Sequence, residues 1–177
     1  MGVDIHIRIA KYNKKTNLFE EVELFRKATQ DEIDWKKDIN GFMKIYLDVG
    51  RNYEMFDGMK DGSEEDGYGF FPWTSINYLS LEPSFAEDIK NISESFGCYD
   101  FYEINLCEFN LYLKNHPTVT DYNIDWGDDW KPEDPKPQKE NPLKSLFDDI
   151  ESYLFIADWD YRWNPSSYYK VIFYFDH

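Results

Sequence analysis

The segment Tyr169-Lys170-Val171-Ile172-Phe173-Tyr174-Phe175 is apolar at odd and even positions alike, apart from one lysine. Alternate side chains of a strand face opposite sides, so this run needs cover on both faces, or a place beside the first strand pair at the middle of a sheet. The rest of the chain must therefore supply flanking strands and covering helices.

The flanking strands are legible near the start. Val3, Ile5, Ile7 and Ile9 alternate with Asp4, His6 and Arg8, the period of a strand with one buried face. The polar cluster from Asn13 to Asn17 reads as a turn. Phe19, Val22, Leu24 and Phe25 then read as a second strand, completing an N-terminal hairpin. Between residues 27 and 50, Ile33, Trp35, Phe42, Ile45 and Leu47 are spaced too irregularly to choose helix or strand.

The covering helices follow. Arg51 to Met59 reads as a short helix with Met55 and Met59 on one side, broken by the acidic loop from Asp61 to Gly67. Ser84 with Glu87 has the form of a capping box, and Phe85, Ile89, Ile92 and Phe96 recur at helical spacing before Gly97. A strand from Tyr99 to Ile104 precedes a helix from Leu106 to Leu113, started by Asn105 with Glu108 and closed before Pro117. Asn141-Pro142 opens a further helix with Leu143, Leu146, Phe147, Ile150 and Leu154 on its inner face.

These elements predict one α+β domain: a mixed or antiparallel sheet with an N-terminal hairpin and a central C-terminal strand, packed by three to four helices. Residues 118–141, acidic and carrying Pro132, Pro135 and Pro137, read as a loop or excursion, because too little chain follows to build a second core.

Charge narrows the function. Nineteen Lys and Arg against 35 Asp and Glu give a net charge of −16, which repels phosphate backbones and anionic lipid surfaces. Direct nucleic-acid or membrane binding is disfavoured, and a basic partner, a cation or plain solubility fits better. No apolar run reaches the length of a membrane span, and the first residues lack the form of a signal peptide. Cytoplasmic residence is expected, with Cys98 and Cys107 as free thiols.

Chemistry-bearing patterns are sparse. Asp4 and His6 share one face of the first strand about 7 Å apart, which suits metal ligation or acid–base work but is also what any amphipathic strand offers. Asp121, Asn123 and Asp125 alternate like calcium ligands, yet Trp126 stands where that loop needs glycine and Pro132 where it needs glutamate. No nucleophile elbow or phosphate-cradling glycine loop is present. The chain thus reads as a binding protein with no catalytic residue, cofactor or metal.

The remaining feature is the interleaving of carboxylates with aromatic residues, which make up 19% of the chain. Asp121, Asp125, Trp126, Asp128, Asp129 and Trp130 form one such stretch, Asp158 and Asp160 with their aromatic neighbours another, and the segment around Glu64 to Trp73 a third. Rigid rings beside carboxylates suit a Lys- and Arg-rich partner surface. The competing reading is core rings flanked by solvating acids.

Three segments resemble a family of uncharacterised proteins common in bacteriophages and in bacterial genomes carrying phage-derived genes. They are Met1-Gly2-Val3-Asp4-Ile5-His6, Arg51-Asn52-Tyr53-Glu54-Met55-Phe56 and the stretch from Lys170 to Asp176. The family's histidine-rich stretch is replaced here by Gly97 to Glu103, without histidine. The resemblance carries over Asp4, His6, Arg51, Asn52 and Tyr53 as ligand-binding candidates, for a nucleotide or other small ligand or for hydrolysis. It implies no established activity, but it implies a phage setting, in which small acidic proteins block host nucleases and other defences by occupying surfaces meant for DNA or RNA. A virion assembly component is the third reading.

Overall fold

The computed structural model describes residues 4–35, 40–96 and 101–176. Strand β1 (Asp4–Asn13) pairs antiparallel with β10 (Tyr169–Asp176), Asp4 facing Asp176 and Lys11 facing Tyr169. The other edge of β10 takes β7 (Phe101–Asn105), and β7 takes the two-residue β6 (Thr74–Ser75). The doubly apolar C-terminal run is therefore central in an antiparallel sheet, as its composition requires. Ile5, Ile7, Ile9, Val171, Phe173 and Phe175 belong to the larger core. Ala10, Phe101 and Ile172 belong to a second core on the opposite face.

The free edge of β1 is divided between two partners. β2 (Leu18–Glu21) pairs with Ala10 to Asn13, and β5 (Leu47–Arg51) with Asp4 to Ile7. Between them the chain leaves the sheet as a separate hairpin, β3 (Leu24–Lys27) and β4 (Phe42–Ile45), with α1 (Gln30–Trp35) in its connection. The expected single strand through Phe19 and Phe25 is thus two strands. The break follows Val22, whose N–H donates to the Ile9 carbonyl at 2.8 Å before the chain turns away. This excursion is the segment whose spacing showed no period. Phe25, Phe42 and Trp35 are exposed and α1 buries nothing, so no buried face imposes one.

Arg8 sits at this fork, only 3% exposed. Its Nε and Nη2 donate to the two Glu21 carboxylate oxygens at 2.5 and 2.9 Å, and Nη2 also reaches Asp88 at 2.6 Å. The guanidinium lies 5.4 Å from the ring centres of both Tyr46 and Phe85. Burial alone would lower its pKa, but the Glu21 and Asp88 carboxylates more than reverse that, and the group stays charged.

Four further helices pack on the sheet. α2 (Tyr53–Asp61), α4 (Leu106–Asn115) and α5 (Leu143–Ala157) cover the larger core, and α3 (Pro83–Phe96) the second. α5 carries the expected inner face, with Leu143, Ile150 and Leu154 fully buried, each contributing about 1.5–3 kcal/mol. Asn141 opens it by accepting the Leu143 N–H at 3.0 Å. Two expected caps differ. α3 is capped by Glu82, whose carboxylate accepts the Phe85 N–H at 3.1 Å, because Pro83 rather than Ser84 is its first residue. Asn105 makes no side-chain cap to α4, and its Oδ1 is buried without a partner. Gly97 and Tyr99 lie outside the described residues. The 118–141 excursion is clamped at its base by β8 (Thr118–Thr120) and β9 (Gln138–Glu140), which pair antiparallel. No helix among the described residues is long and apolar enough to cross a membrane.

Candidate functional site: an acidic, aromatic groove

Asn52 starts α2 by accepting the Met55 N–H at 3.0 Å. Met55 and Met59 enter the core. Glu54, Asp57 and Asp61 occupy the i, i+3 and i+7 positions of another helical face, with Gly58 among them.

The chain after α2 folds back over that face, which the glycines permit. A Cβ at Gly58 would run into the Tyr68 ring, and one at Gly67, whose φ is +82°, would lie 2.7 Å from the Thr118 carbonyl oxygen. Tyr68 is buried and donates its hydroxyl to Glu54 at 3.4 Å. Burial first, and Glu54 second, raise the pKa of this phenol, keeping it a proton donor.

β8 is joined to the acidic loop by the Thr120 N–H, which donates to the Asp66 carbonyl at 2.8 Å. The Asp66 carboxylate accepts the Tyr122 hydroxyl, and the Ser63 hydroxyl at 2.9 Å. The Tyr122 hydrogen bond holds the Asp66 pKa below its ordinary value, against slight desolvation.

These contacts leave a concavity of about 530 Å³ lined by Glu54, Asp57, Asp61 and Asp66 together with Tyr68 and Tyr122. No lysine or arginine among the described residues lines it. At one end Lys139 lies 2.5 Å from Glu54 and 3.7 Å from Asp121.

The 121–130 loop extends the surface outward. Tyr122 stacks on Trp126 at 5.6 Å between centres, and Trp126 contacts Trp130 at 4.6 Å. The Trp126 indole N–H donates to the Asp121 carbonyl at 3.0 Å. Asp121 and Asp125 each accept a backbone N–H two residues on, from Asn123 and Gly127, at 2.9 Å. Their carboxylates are thus turn formers, and among the described residues no three His, Cys, Asp or Glu side chains gather as a metal site. Asp128 and Asp129 are exposed, Trp126 and Trp130 half-buried.

The other sequence candidates lie elsewhere. Asp158 and Asp160 do not line this groove. Asp158 is engaged internally, accepting the Tyr169 hydroxyl at 2.6 Å and pairing with Lys11 at 3.0 Å. Asp160 lines a different concavity with Lys11, Tyr12, Lys14 and Tyr168. Asp4 and Arg51 are register partners across β1 and β5, with Nε 3.6 Å from the carboxylate. His6 stacks on Tyr174 at 4.9 Å and places Nδ1 2.9 Å from Asp48. Tyr53 is half exposed. Asp4, His6, Arg51, Asn52 and Tyr53 thus gather at one sheet edge and the adjoining helix start, with Asn52 occupied as a cap.

Glu54, Asp57, Asp61, Asp66 and Tyr122 are not among the site residues named from the sequence, although Tyr122 lies in the 121–130 stretch and Asp66 in the one around Glu64 to Trp73. The signal for three of them was present, as an acidic stripe at helical spacing on the side of α2 away from its methionines. The joining of that stripe to Tyr122 depends on the fold-back over Gly58, which no local pattern announces.

No protein-family model, curated protein or solved structure matches this chain. The resemblance to phage proteins therefore rests on its three short segments alone.

Proposed function

We propose that this chain is a non-catalytic binding protein that presents the acidic, aromatic groove to a Lys- and Arg-rich surface of another protein. The carrying observation is the convergence of four carboxylates and two tyrosines on one concavity, with no lining Lys or Arg among the described residues and Lys139 at one end against Glu54. A −16 net charge draws a basic partner in from a distance, and carboxylates beside rigid rings give it contacts at short range. In the phage setting implied by the resemblance, the partner is a host defence protein whose basic cleft normally holds nucleic acid, and occupancy of that cleft blocks it.

Fluorescence anisotropy with a labelled Lys/Arg-rich peptide tests the reading, with labelled single-stranded DNA as the control. The native protein binds the peptide and not the DNA, and the Asp57→Asn/Asp61→Asn variant binds the peptide at least tenfold more weakly, about 1.4 kcal/mol. Equal affinity of the native protein and the variant rules the groove out.

A further inference from the structure

A second surface lies where α5 ends. The helix stops at Asp158 and a 3-10 turn over Trp159–Arg162 follows. Around this junction Ile156, Trp159 and Trp163 are 73%, 81% and 80% exposed, and Phe155 45%. Phe155 packs on the turn, with the Tyr161 ring 5.0 Å from its own and the Arg162 guanidinium 5.4 Å above it. Tyr161 is buried beneath, its hydroxyl donating to Glu151 at 2.6 Å, which anchors the turn. The tryptophans are thus carried on a fixed base.

We infer that this patch is the contact between two copies of the chain, related by a two-fold axis. Area is the first argument. A large aromatic side chain offers up to about 250 Å², so the two tryptophans together with Ile156 and Phe155 leave roughly 600 Å² of apolar surface in water. That is at the top of the range for the largest apolar patch of a monomer, about 300–600 Å². A standard interface buries about 800 Å² per partner, of which homodimers make about two thirds apolar. The patch supplies that apolar share.

Charge is the second argument. Each copy carries −16, so two copies repel one another wherever carboxylates are in excess. Here much of the charge is paired: Lys11 lies 3.0 Å from Asp158 and 3.7 Å from Asp160, and Arg162 adds a cation over the Phe155 ring. A two-fold contact sets Arg162 of one copy against Asp160 of the other, twice. The surface is thus self-complementary, unlike the groove, whose lining carboxylates favour a foreign cationic partner.

Sedimentation velocity of the full chain over a concentration series tests this. The native protein is a dimer at the higher concentrations, and its association strengthens with added salt, because screening relieves the mutual repulsion. Trp159→Ser/Trp163→Ser weakens association by roughly 30-fold or more, as for central interface tryptophans, with a melting temperature unchanged at dilutions where the native protein is monomeric. Arg162→Asp also weakens it, and adding Asp160→Arg to that variant restores it. A protein monomeric at every concentration, or a dimer that survives loss of both tryptophans, overturns the inference. Binding of the basic peptide is scored separately and weakens with salt, so either proposal can fail without the other.

Discussion

Arg8 and Tyr153 close the same gap in the sheet from opposite faces. Tyr153, on α5, donates its hydroxyl toward the carbonyl oxygens of Val22 and Ile45 at 3.2 and 3.5 Å, where the chain leaves and re-enters the sheet. Arg8, on the α3 side, binds Glu21 and Asp88. A void of only about 10 Å³ remains between the linings they share. The gap exists because β1 changes partner from β2 to β5, and the side chains stand in for the missing strand pairing.

Replacing Arg8 by Met should therefore be costly. It leaves Glu21, whose side chain is 12% exposed, with Lys44 alone. Because Lys44 still compensates Glu21, the loss is that of hydrogen bonds to a charged group, about 1.5–3 kcal/mol, read as a lowered midpoint in urea unfolding. Arg8→Lys should recover only part, since an ammonium cannot match the two-pronged contact with Glu21.

Asp158 gives the acid side of the stability profile. Burial alone would raise its pKa, but the Tyr169 hydroxyl, Lys11 and the Asp160 N–H outweigh burial and hold it below the ordinary aspartate value. A depressed folded pKa stabilises above the unfolded pKa and is lost as pH falls through the folded one. Asp158→Asn should then cost about 1.5–3 kcal/mol at neutral pH, as for hydrogen bonds to a charged group. The deficit should shrink below about pH 4, near the unfolded aspartate value, in melts run from pH 7 to 3.

Gly58→Ala tests how the groove is built. The added methyl meets the Tyr68 ring, and overpacking of this kind costs about 1–3 kcal/mol. Displacing Tyr68 should also lower affinity for a basic peptide, whereas Gly41→Ala, strained only by its φ of +77° and away from the groove lining, should leave peptide binding as it was.

The edge cluster behaves differently. Arg51 pairs with Asp4 at 3.6 Å with its side chain 68% exposed, and exposed pairs of this kind contribute at most about 1 kcal/mol. Arg51→Ala should melt within a few degrees of the native protein and bind the basic peptide equally well. A nucleotide that raises the native melting temperature but not that of Arg51→Ala would assign a small-ligand site there instead.

The fold was legible wherever burial imposed a period: β1 through Ile5, Ile7 and Ile9, α5 through Leu143 to Leu154, and β10 through its two apolar faces. It was illegible from residue 27 to residue 50, where Trp35 and Phe42 face solvent and α1 buries no side chain that could select a spacing. Start signals were less secure than core faces. Ser84 matched a capping pattern, yet Glu82 caps the helix, because Pro83 fixes the first turn one residue earlier. The candidate site was half visible. The 121–130 stretch was singled out by composition, while its continuation toward α2 arises from tertiary contact between Tyr122 and Asp66, in the loop that follows that helix.

The most direct test of the central claim is the ionic-strength dependence of peptide binding. The Debye length falls from about 30 Å at 0.01 M salt to about 8 Å at 0.15 M, so attraction from a gathered acidic face should fade steeply across that range. The account predicts that affinity for a Lys/Arg-rich peptide drops with salt, and that Asp57→Asn/Asp61→Asn flattens the slope. Affinity indifferent to salt, or a slope unchanged in the variant, would contradict it.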